Sequence, residues 1–554
     1  MTLFKSRRVR LLVLFCSLSL AAAACIRVDD PDEVAATQDT DAVAARETAD
    51  DDEAVDETVD EEPSESAGTP HQQDIEEASE QEHMTAEEEA EIAEPEVPTI
   101  EALFEEAADR RARVVERIRD RIESGQWGIG DDNILRGPEG FEIDLNECPA
   151  DWSDTEGITD TEIRIGQIGP QTGRLASYDS ARLGWMTYLD YVNAQGGVRG
   201  LRVVMQSRDD ANEATKTIEH VNDLLQNDNV FAIHTLGSPN TLAVYDSLND
   251  QCIPQPFVWT GHPAWGDPQV HPWTTGSILS HATEAVLWGR WIKENLADEL
   301  PVVVAGLAAD YGFGPVYESS FRQYAESNPG VVSEFVSARH APAASTLTEE
   351  IATLASSGPD VFISMTAGNA CLLAIEEVAE SGLKEELAAA FTPSVCATPS
   401  SWIAPAGDAG HGWLVVGGGV KDITDAALAE HDVFVQFVIQ SLEANGLDPA
   451  ISMFGNGYML GYPYVEALRI AAELPGGLTR TNFILAVRAI DIRHPMFPEA
   501  VAFAMNGNAD AFPVEGSGVS RYDALSHAWV ASSVVDVNGG TPDCVWDADS
   551  GGCR

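Results

Sequence analysis

Between Thr161 and Gly200 the chain changes its hydrophobic period. Ile163, Ile165 and Ile168 form a short apolar run ended by Gly166, Gly169, Pro170 and Gly173. Ala181, Trp185, Tyr188, Leu189 and Val192 then recur at helical spacing until Gly196 and Gly197 stop the pattern. This predicts strand, glycine-rich loop, helix and turn. Further on, LRVVMQ, VFAIHT, PFVWT, PVVVAGLAA, DVFISMT and WLVVGG are β-branched runs. Helical stretches lie between most of them, such as the face carrying Ala214, Ile218, Val221 and Leu225. Such alternation predicts an α/β fold with parallel sheets. About 390 residues follow Thr161, more than one core usually serves, so two lobes are expected.

Ahead of this region Thr99 opens an amphipathic helix that ends near Gly125, with Ile100, Leu103, Phe104, Ala107, Val114, Val115, Ile118 and Ile122 on one face. Its other face sets Glu106 four residues before Arg110 and Asp109 four before Arg113, which predicts pairs along the helix. Such a helix docks on the main domain or pairs with a copy of itself. The arginines are offset by Asp109, Glu116, Asp120 and Glu123, which argues against a membrane-surface role.

The N-terminus changes the picture. Lys5, Arg7, Arg8 and Arg10 precede an apolar run from Leu11 to Leu20, and small residues Ala21 to Ala24 lead to Cys25. This is the pattern of a secretory signal peptide, with a run too short to span a bilayer. Small residues before a cysteine resemble a bacterial lipobox, with Ala22 where a leucine is usual, so either Cys25 is lipidated or an ordinary signal cut falls nearby. From Ile26 to Ile100 there are 28 acidic residues against Arg27 and Arg46, and no Phe, Tyr or Trp. Such a segment lacks the apolar surface to fold and is expected to be a disordered acidic tether with a reach of about 50 Å. A cation-binding tail or a cell-wall contact is the alternative use. The formal net charge of −59 repels nucleic acid and argues against DNA or RNA as a partner.

Six cysteines remain after Cys16 and Cys25, and in an exported protein they suggest three disulfides. Cys544 with Cys553 closes a short loop, Cys371 with Cys396 links a helix start to a following loop, and Cys148 with Cys252 is left. No C-x-x-C pair supports zinc, and no other metal or cofactor is expected. Asp547 to Gly551 resembles half a calcium loop but lacks the later acids.

Ligands in open α/β sheets bind at the carboxyl ends of strands. Here those ends read Gly169-Pro170-Gln171-Thr172-Gly173, Gly237-Ser238-Pro239-Asn240-Thr241, Trp259-Thr260-Gly261-His262, Asp310-Tyr311-Gly312-Phe313-Gly314, Thr366-Ala367-Gly368-Asn369 and Thr392-Pro393-Ser394. Hydroxyls, glycines and backbone N–H groups at a helix start can hold a carboxylate, a phosphate or a polar solute without a charged side chain. The glycines at 166, 169 and 173 follow neither the dinucleotide nor the P-loop fingerprint, which argues against a nucleotide. For an enzyme such as an exported hydrolase, G-x-S-x-G and H-E-x-x-H are both missing, and His262, His281, His340 and His411 show no ligand spacing. They read as structural, hydrogen-bonded histidines.

The order IRIGQIGPQTGRLASYDSARLG, VNAQGGVRG, DDANEA, LGSPNT, FVWTG, ADYGFG and GNGYMLGYPYVEAL resembles the type I periplasmic binding proteins, nearest the branched-chain amino acid and amide/urea subgroup of ABC importers. The similarity covers about Thr161 to Val535. It implies two Rossmann-like lobes joined by crossovers, with a solute (branched-chain amino acid, amide or urea-like) held in the cleft as they close. The implied divisions are signal peptide 1–25, acidic linker 26–98, helix 99–125, connector 126–160, lobe one 161–280 and 414–505, lobe two 281–413 and 506–536, and tail 537–554. It also implies a lipoprotein outside the cell membrane, with permease and ATPase subunits as partners. A ligand sensor working with a signalling partner has the same lobes. First-lobe contacts implied by the resemblance are Gln171, Thr172, Gly173, Tyr178, Ser238, Asn240, Thr260 and the Gly261 N–H. Tyr311 enters from lobe two, with Thr366 and Thr392 near it and Tyr458 near the cleft. In amino-acid-binding relatives a second-lobe carboxylate holds the ligand ammonium, and the loop FTPSVCATPS contains none. Either Asp310 or another acid serves, or the ligand is not an α-amino acid.

Overall fold

The computed structural model describes residues 99–173, 175–416 and 420–537, and the backbone of two short strands at 546–547 and 552–553. The signal sequence, the acidic segment, Cys25 and Cys544 lie outside the described residues. No helix among the described residues is long and apolar enough to cross a membrane.

Helix α1 (Ile100–Glu123) begins where the Thr99 hydroxyl accepts the Ala102 N–H. Its apolar stripe buries Val114, Val115 and Ile118. Phe104 stacks on Tyr191 at 5.6 Å and meets Phe437 edge-on at 5.6 Å. Its arginines reach outward to lobe one instead of pairing along the helix as the spacing predicts. Arg110 bonds Asp491 at 3.1 Å, Arg111 bonds the buried Glu466 at 2.8 Å, and Arg117 donates to the Ala489 carbonyl. Glu106 faces Arg493. Long cationic side chains close more favourably on buried or carbonyl partners than on exposed neighbours worth a few tenths of a kcal/mol.

The connector folds as a small antiparallel meander, β1 (Gly128–Ile129), β2 (Ile134–Arg136) and β3 (Glu142–Asp144). It is fixed to lobe one by the Cys148–Cys252 disulfide, and the Trp152 indole N–H donates to the Cys252 carbonyl at 2.8 Å. Fully buried Arg480 strengthens the seam by donating to the carbonyls of Phe231, Val230 and Ser153.

Lobe one is built on β4 (Glu162–Gly169), helix α2 (Asp179–Ala194), β5 (Arg202–Asp209), α3 (Ala214–Asp223), β6 (Ala232–Thr235), α4 (Ser238–Asp250), β7 (Gln255–Val258) and β8 (Thr274–Gly276). The strands pair in parallel in the order β5-β4-β6; a Leu236–Trp259 bridge leads to β7, which pairs β8. Lobe two begins with α5 (His281–Asn295), β9 (Val302–Ala309), α6 (Gly314–Ser327), β10 (Val332–His340), α7 (Thr348–Ala355), β11 (Val361–Met365), α8 (Asn369–Glu380), β12 (Ala389–Thr392) and β13 (Leu414–Val416). The chain then returns to lobe one as α9 (Ala426–His431), α10 (Val433–Ala444), α11 (Met453–Glu473), α12 (Arg480–Arg488), β14 (Asp491–Ile492) and β15 (Phe503–Ala504). It ends in the antiparallel hairpin β16 (Gly516–Asp523) and β17 (Ala528–Asp536). The second sheet runs β10-β9-β11-β12-β13-β16-β17.

Two of the expected crossover positions move. Leu414 pairs with Phe391 and Arg521 inside the second sheet, so the return to lobe one falls after Val416. Residues after Asn506 still belong to lobe one, since the Gly507 N–H donates to Arg488 and Gly266 lies against Phe512. The final crossing comes at Glu515 and Gly516, where the last hairpin begins. A β-branched run shows that a strand forms; which sheet takes it depends on its hydrogen-bonded neighbour.

Helices α2 and α11 cross in close backbone contact within lobe one. A Cβ placed on Gly457 lies 2.2 Å from the Ala181 carbonyl oxygen, and one on Gly184 lies 2.2 Å from that of Phe454. In a helix, Gly→Ala ordinarily gains up to about 1 kcal/mol, whereas overpacking a tight contact costs about 1–3 kcal/mol. The steric term wins, so Gly457→Ala is expected to lower the melting temperature, while Gly330→Ala, where a Cβ meets open space, leaves it nearly unchanged; thermal denaturation of both variants checks this.

Candidate ligand-binding cleft

At the carboxyl ends of the strands, most donors that the sequence leaves for a ligand are taken by the protein's own carboxylates. The Gln171 and Thr172 N–H groups donate to Asp209 Oδ1 at 2.8 and 3.2 Å, as does the Ala211 N–H, and the Thr172 hydroxyl donates to Oδ2 at 2.6 Å. Burial works against ionising Asp209, but these four bonds outweigh it and hold the carboxyl at about 2. The anion site predicted in the first loop is thus filled from within. Gln171 Nε2 also turns away, to Ser207. Gly173, at φ +82°, packs its Cα side toward Ala211. Asn240 donates to the neighbouring Asp210, which also takes Thr217, so Asn240 faces the lobe interior. Burial pushes the Asp210 carboxyl above its ordinary range, partly offset by these bonds.

The remaining candidates divide in the same way. Asp310 is more than half exposed and pairs with Arg339 at 3.2 Å, so it does not line the cleft. Tyr311 meets Phe313 edge-on at 5.8 Å, and it is Phe313 that reaches the cleft wall. Thr366 is fully buried against His340 Nε2 at 2.7 Å. Thr392 is fully buried at the end of β12. Gly261 supplies its carbonyl to the His281 N–H and leaves no room for a Cβ. Tyr458 points into the core of lobe one, its hydroxyl 2.7 Å from that of Thr187 and its ring 5.6 Å from Tyr188.

Three predicted residues do line the cleft: Tyr178, Ser238 and Thr260. The Ser238 and Thr260 hydroxyls lie 2.6 Å apart at the N-terminus of α4. The Tyr178 ring meets Trp259 edge-on at 5.5 Å, and its hydroxyl donates across the lobes to the Val395 carbonyl at 3.4 Å. The lobes are closed upon each other: Pro239 lies against Gly312, and Leu175 against Gly368. Between them the cleft holds about 950 Å³, part of it open to solvent.

Sequence reasoning missed most of its wall. Trp259, Ile278, Leu279, Phe313, Val395, Met453, Met459 and Phe497 make it largely apolar, with Asn456, His281, Ser394 and Thr398 as further polar groups. Trp259 and Phe313 stand inside the quoted strand-end loops, so their signal was present. Met453, Asn456 and Met459 follow one face of α11, a stripe that faces away from Tyr458. Among the described residues no Asp, Glu, Lys or Arg lines the cleft. His281, read from sequence as structural, is in the wall, and burial holds its imidazole well below its ordinary value and hence neutral.

Lobe two does carry a buried acid behind this turn, Glu284, on the first turn of α5. It is fully buried, and its carboxylate takes the Ser394 N–H at 2.7 Å, the Ser394 hydroxyl at 2.7 Å and the Tyr317 hydroxyl at 2.5 Å. It stands behind Ser394, outside the cleft wall. The Cys371–Cys396 disulfide fixes this turn to the start of α8. Among the described residues no group of three or more His, Cys, Asp or Glu side chains is placed to hold a metal ion.

Comparison with known proteins places this geometry. The profile described as "Periplasmic binding protein" matches residues 162–511. The Leu/Ile/Val-binding protein BraC3 of Rhizobium johnstonii is 32% identical over 97 residues, 17% of this chain and 26% of that protein. A homologue from Brucella melitensis is 28% identical over 93 residues, so the chain spans about a quarter of the length of the curated relatives it matches. Among solved structures, the fatty acid ABC transporter substrate-binding protein from Thermomonospora curvata aligns with a TM-score of 0.58 at 17% identity, over 74% of this chain and 97% of that one. A branched-chain amino acid ABC transporter protein from Thermus thermophilus with bound valine aligns with a TM-score of 0.59 at 15% identity, over 68% and 96%. A solute-binding protein from R. palustris in complex with 4-hydroxybenzoate gives 0.56 at 17%, over 68% and 96%. With two α/β lobes closed on a strand-end cleft and a profile that matches from β4 to just before the last crossover, the chain belongs to the periplasmic binding protein family, with the type I fold of ABC-transporter solute-binding proteins.

Proposed function

We propose that this protein captures a carboxylate with an apolar body, aromatic or aliphatic, outside the cell and delivers it to an ABC permease. One observation carries the reading: the cleft is walled by rings and methyl groups, and among the described residues no charged side chain lines it. A buried ammonium without a carboxylate partner costs several kcal/mol, and Glu284, already holding three donors behind Ser394, does not reach the ligand space. That weighs against an α-amino acid. A largely apolar wall gives urea or a small amide too few partners for its several donors and acceptors. A carboxylate is better served, since the hydrogen-bonded Ser238–Thr260 pair keeps one hydroxyl proton to donate and the N-terminus of α4 adds a favourable dipole. Solved structures of the same fold include proteins named for a fatty acid and for 4-hydroxybenzoate, which supports this class. The sequence before residue 99 adds the setting: an export signal, Cys25 placed for lipidation and an acidic segment serving as a tether.

Closure explains delivery. The ligand enters between open lobes, the lobes rotate about the crossovers after Gly276, after Val416 and at Glu515–Gly516, and the Tyr178 hydroxyl meets Val395 only when the lobes have come together. A thermal-shift panel of benzoate, 4-hydroxybenzoate, octanoate, valine, leucine and urea tests the ligand class. A ligand at 100 times its Kd adds about 2.7 kcal/mol of stability. At least one apolar carboxylate is expected to raise the melting temperature and urea to leave it unchanged; a shift with valine or leucine alone sinks the reading.

Tyr178→Ala removes one wall and the cross-lobe hydrogen bond together. Affinity for the best carboxylate is expected to fall about tenfold or more by calorimetric titration, about 1.4 kcal/mol. Unchanged affinity places the ligand elsewhere.

A further inference from the structure

The cleft of lobe two presents a hydroxyl whose proton is already committed. Ser394 follows β12 and Pro393 and lines the cleft, while Glu284 lies directly behind it with no exposed surface. The Ser394 N–H donates to Glu284 Oε1 at 2.7 Å and the Ser394 hydroxyl donates to Oε2 at 2.7 Å. Tyr317, from α6, donates its own hydroxyl to the same Oε2 at 2.5 Å. A serine hydroxyl has one proton and two lone pairs. With the proton spent on Glu284, only lone pairs remain for the cleft.

We infer that Ser394 is an obligate hydrogen-bond acceptor that selects ligands carrying a donor, such as a phenolic hydroxyl, at their second-lobe end, and that Glu284 is the positioning residue that makes it so. This rests on the reading of the cleft as a site for apolar carboxylates, whose carboxylate lies at the other wall by Ser238 and Thr260. The consequence is a specificity rule: a buried acceptor facing a ligand that lacks a donor is left unpaired, and such losses discriminate more sharply than an extra methylene. A 4-hydroxybenzoate is favoured over 4-methoxybenzoate, whose ether oxygen can only accept.

The arrangement depends on an ionised Glu284. A protonated carboxyl donates to Ser394, and the serine proton is then free to turn into the cleft. Burial pushes this carboxyl up to about 7, the three donors pulling the other way. Other titratable groups around it stay fixed over the neutral range. Burial holds Tyr317 protonated, well above its ordinary value, and holds His281, one turn earlier on α5 and 4.4 Å from the Tyr317 ring, neutral. His262, beside His281, is also held neutral, at about 3. The turn after β12 contributes no charged side chain between Pro393 and Thr398.

Calorimetric titration of the full chain with 4-hydroxybenzoate, 4-methoxybenzoate and benzoate, at pH 5.5 and pH 8.5, tests the inference. At pH 8.5 the hydroxy compound is expected to bind about tenfold more tightly than the methoxy compound, with a smaller ratio at pH 5.5. Glu284→Gln keeps the shape but supplies an amide N–H toward Ser394, so the ratio is expected to fall to about one or reverse and to lose its pH dependence. Ser394→Ala removes the acceptor and the preference with it, and serves if Glu284→Gln does not fold. A native protein that binds these compounds with the same ratio at both pH values, and a Ser394→Ala variant that keeps that ratio, overturn the inference while leaving the ligand class intact. Native protein that binds none of the three overturns this inference, and the ligand class falls with it only if octanoate also fails to bind. The linkage has a ligand-free readout as well. A carboxyl raised from 4.5 to about 7 in the folded state contributes stability that is full below about 4.5 and is lost as pH rises through 7. The melting temperature of the native chain is therefore expected to fall relative to that of Glu284→Gln between pH 5 and pH 8; parallel curves overturn the assignment of the proton to Glu284.

Discussion

Every loop at the end of a parallel strand leaves backbone N–H groups that must find an acceptor, and in this protein three internal carboxylates supply it. Asp209 gathers the first loop, Asp210 takes the Asn212 N–H and ties in α3 and α4 through the Thr217 and Asn240 side chains, and Glu284 gathers the turn after β12. Buried donors without partners cost more than most contacts return, so this requirement ranks ahead of ligand chemistry in shaping the loops. It also explains the character of the cleft. With the polar groups turned inward to these acids, what remains facing the ligand is mostly ring and methyl surface.

The two lobes divide the work. Lobe one is rigid, its α2 and α11 in backbone contact at Gly184 and Gly457 and its N-terminal helix and connector fastened by Arg111, Arg480 and the Cys148–Cys252 disulfide. It presents Tyr178, Ser238 and Thr260 from fixed positions. Lobe two brings the counter-wall on a turn held by the Cys371–Cys396 disulfide and Glu284. Preorganisation of both walls leaves the rigid-body motion between them as the main change on binding.

Much of the fold was legible because parallel strands buried on both faces are apolar, β-branched runs, and those of β4, β9 and β11 stand out. The strand β10, rich in Ser, Glu and Arg and half-exposed at the sheet edge, lacks that signature and was missed. Helix α1 was legible from its stripe, but its ion pairs were not, since spacing along one helix ignores partners brought in from Glu466 and Asp491. Among the site residues, Tyr178, Ser238 and Thr260 lie where motif order placed them, whereas Asn240, Thr366 and Tyr458 were assigned by motif position and turned out to be spent on Asp210, His340 and Thr187.

By itself the sequence determined the fold class, the strand-end location of the cleft and the chemistry available to its loops, because period and turn residues act locally. Only the tertiary structure decided which sheet receives Leu414, which hydroxyls remain for a ligand and which acid stands behind Ser394. Those outcomes depend on partners from 22 residues away, as between Ser238 and Thr260, to 271, as between Thr187 and Tyr458. A hydrogen bond is decided by what lies within 3 Å in space, and the order of residues along a chain does not record it.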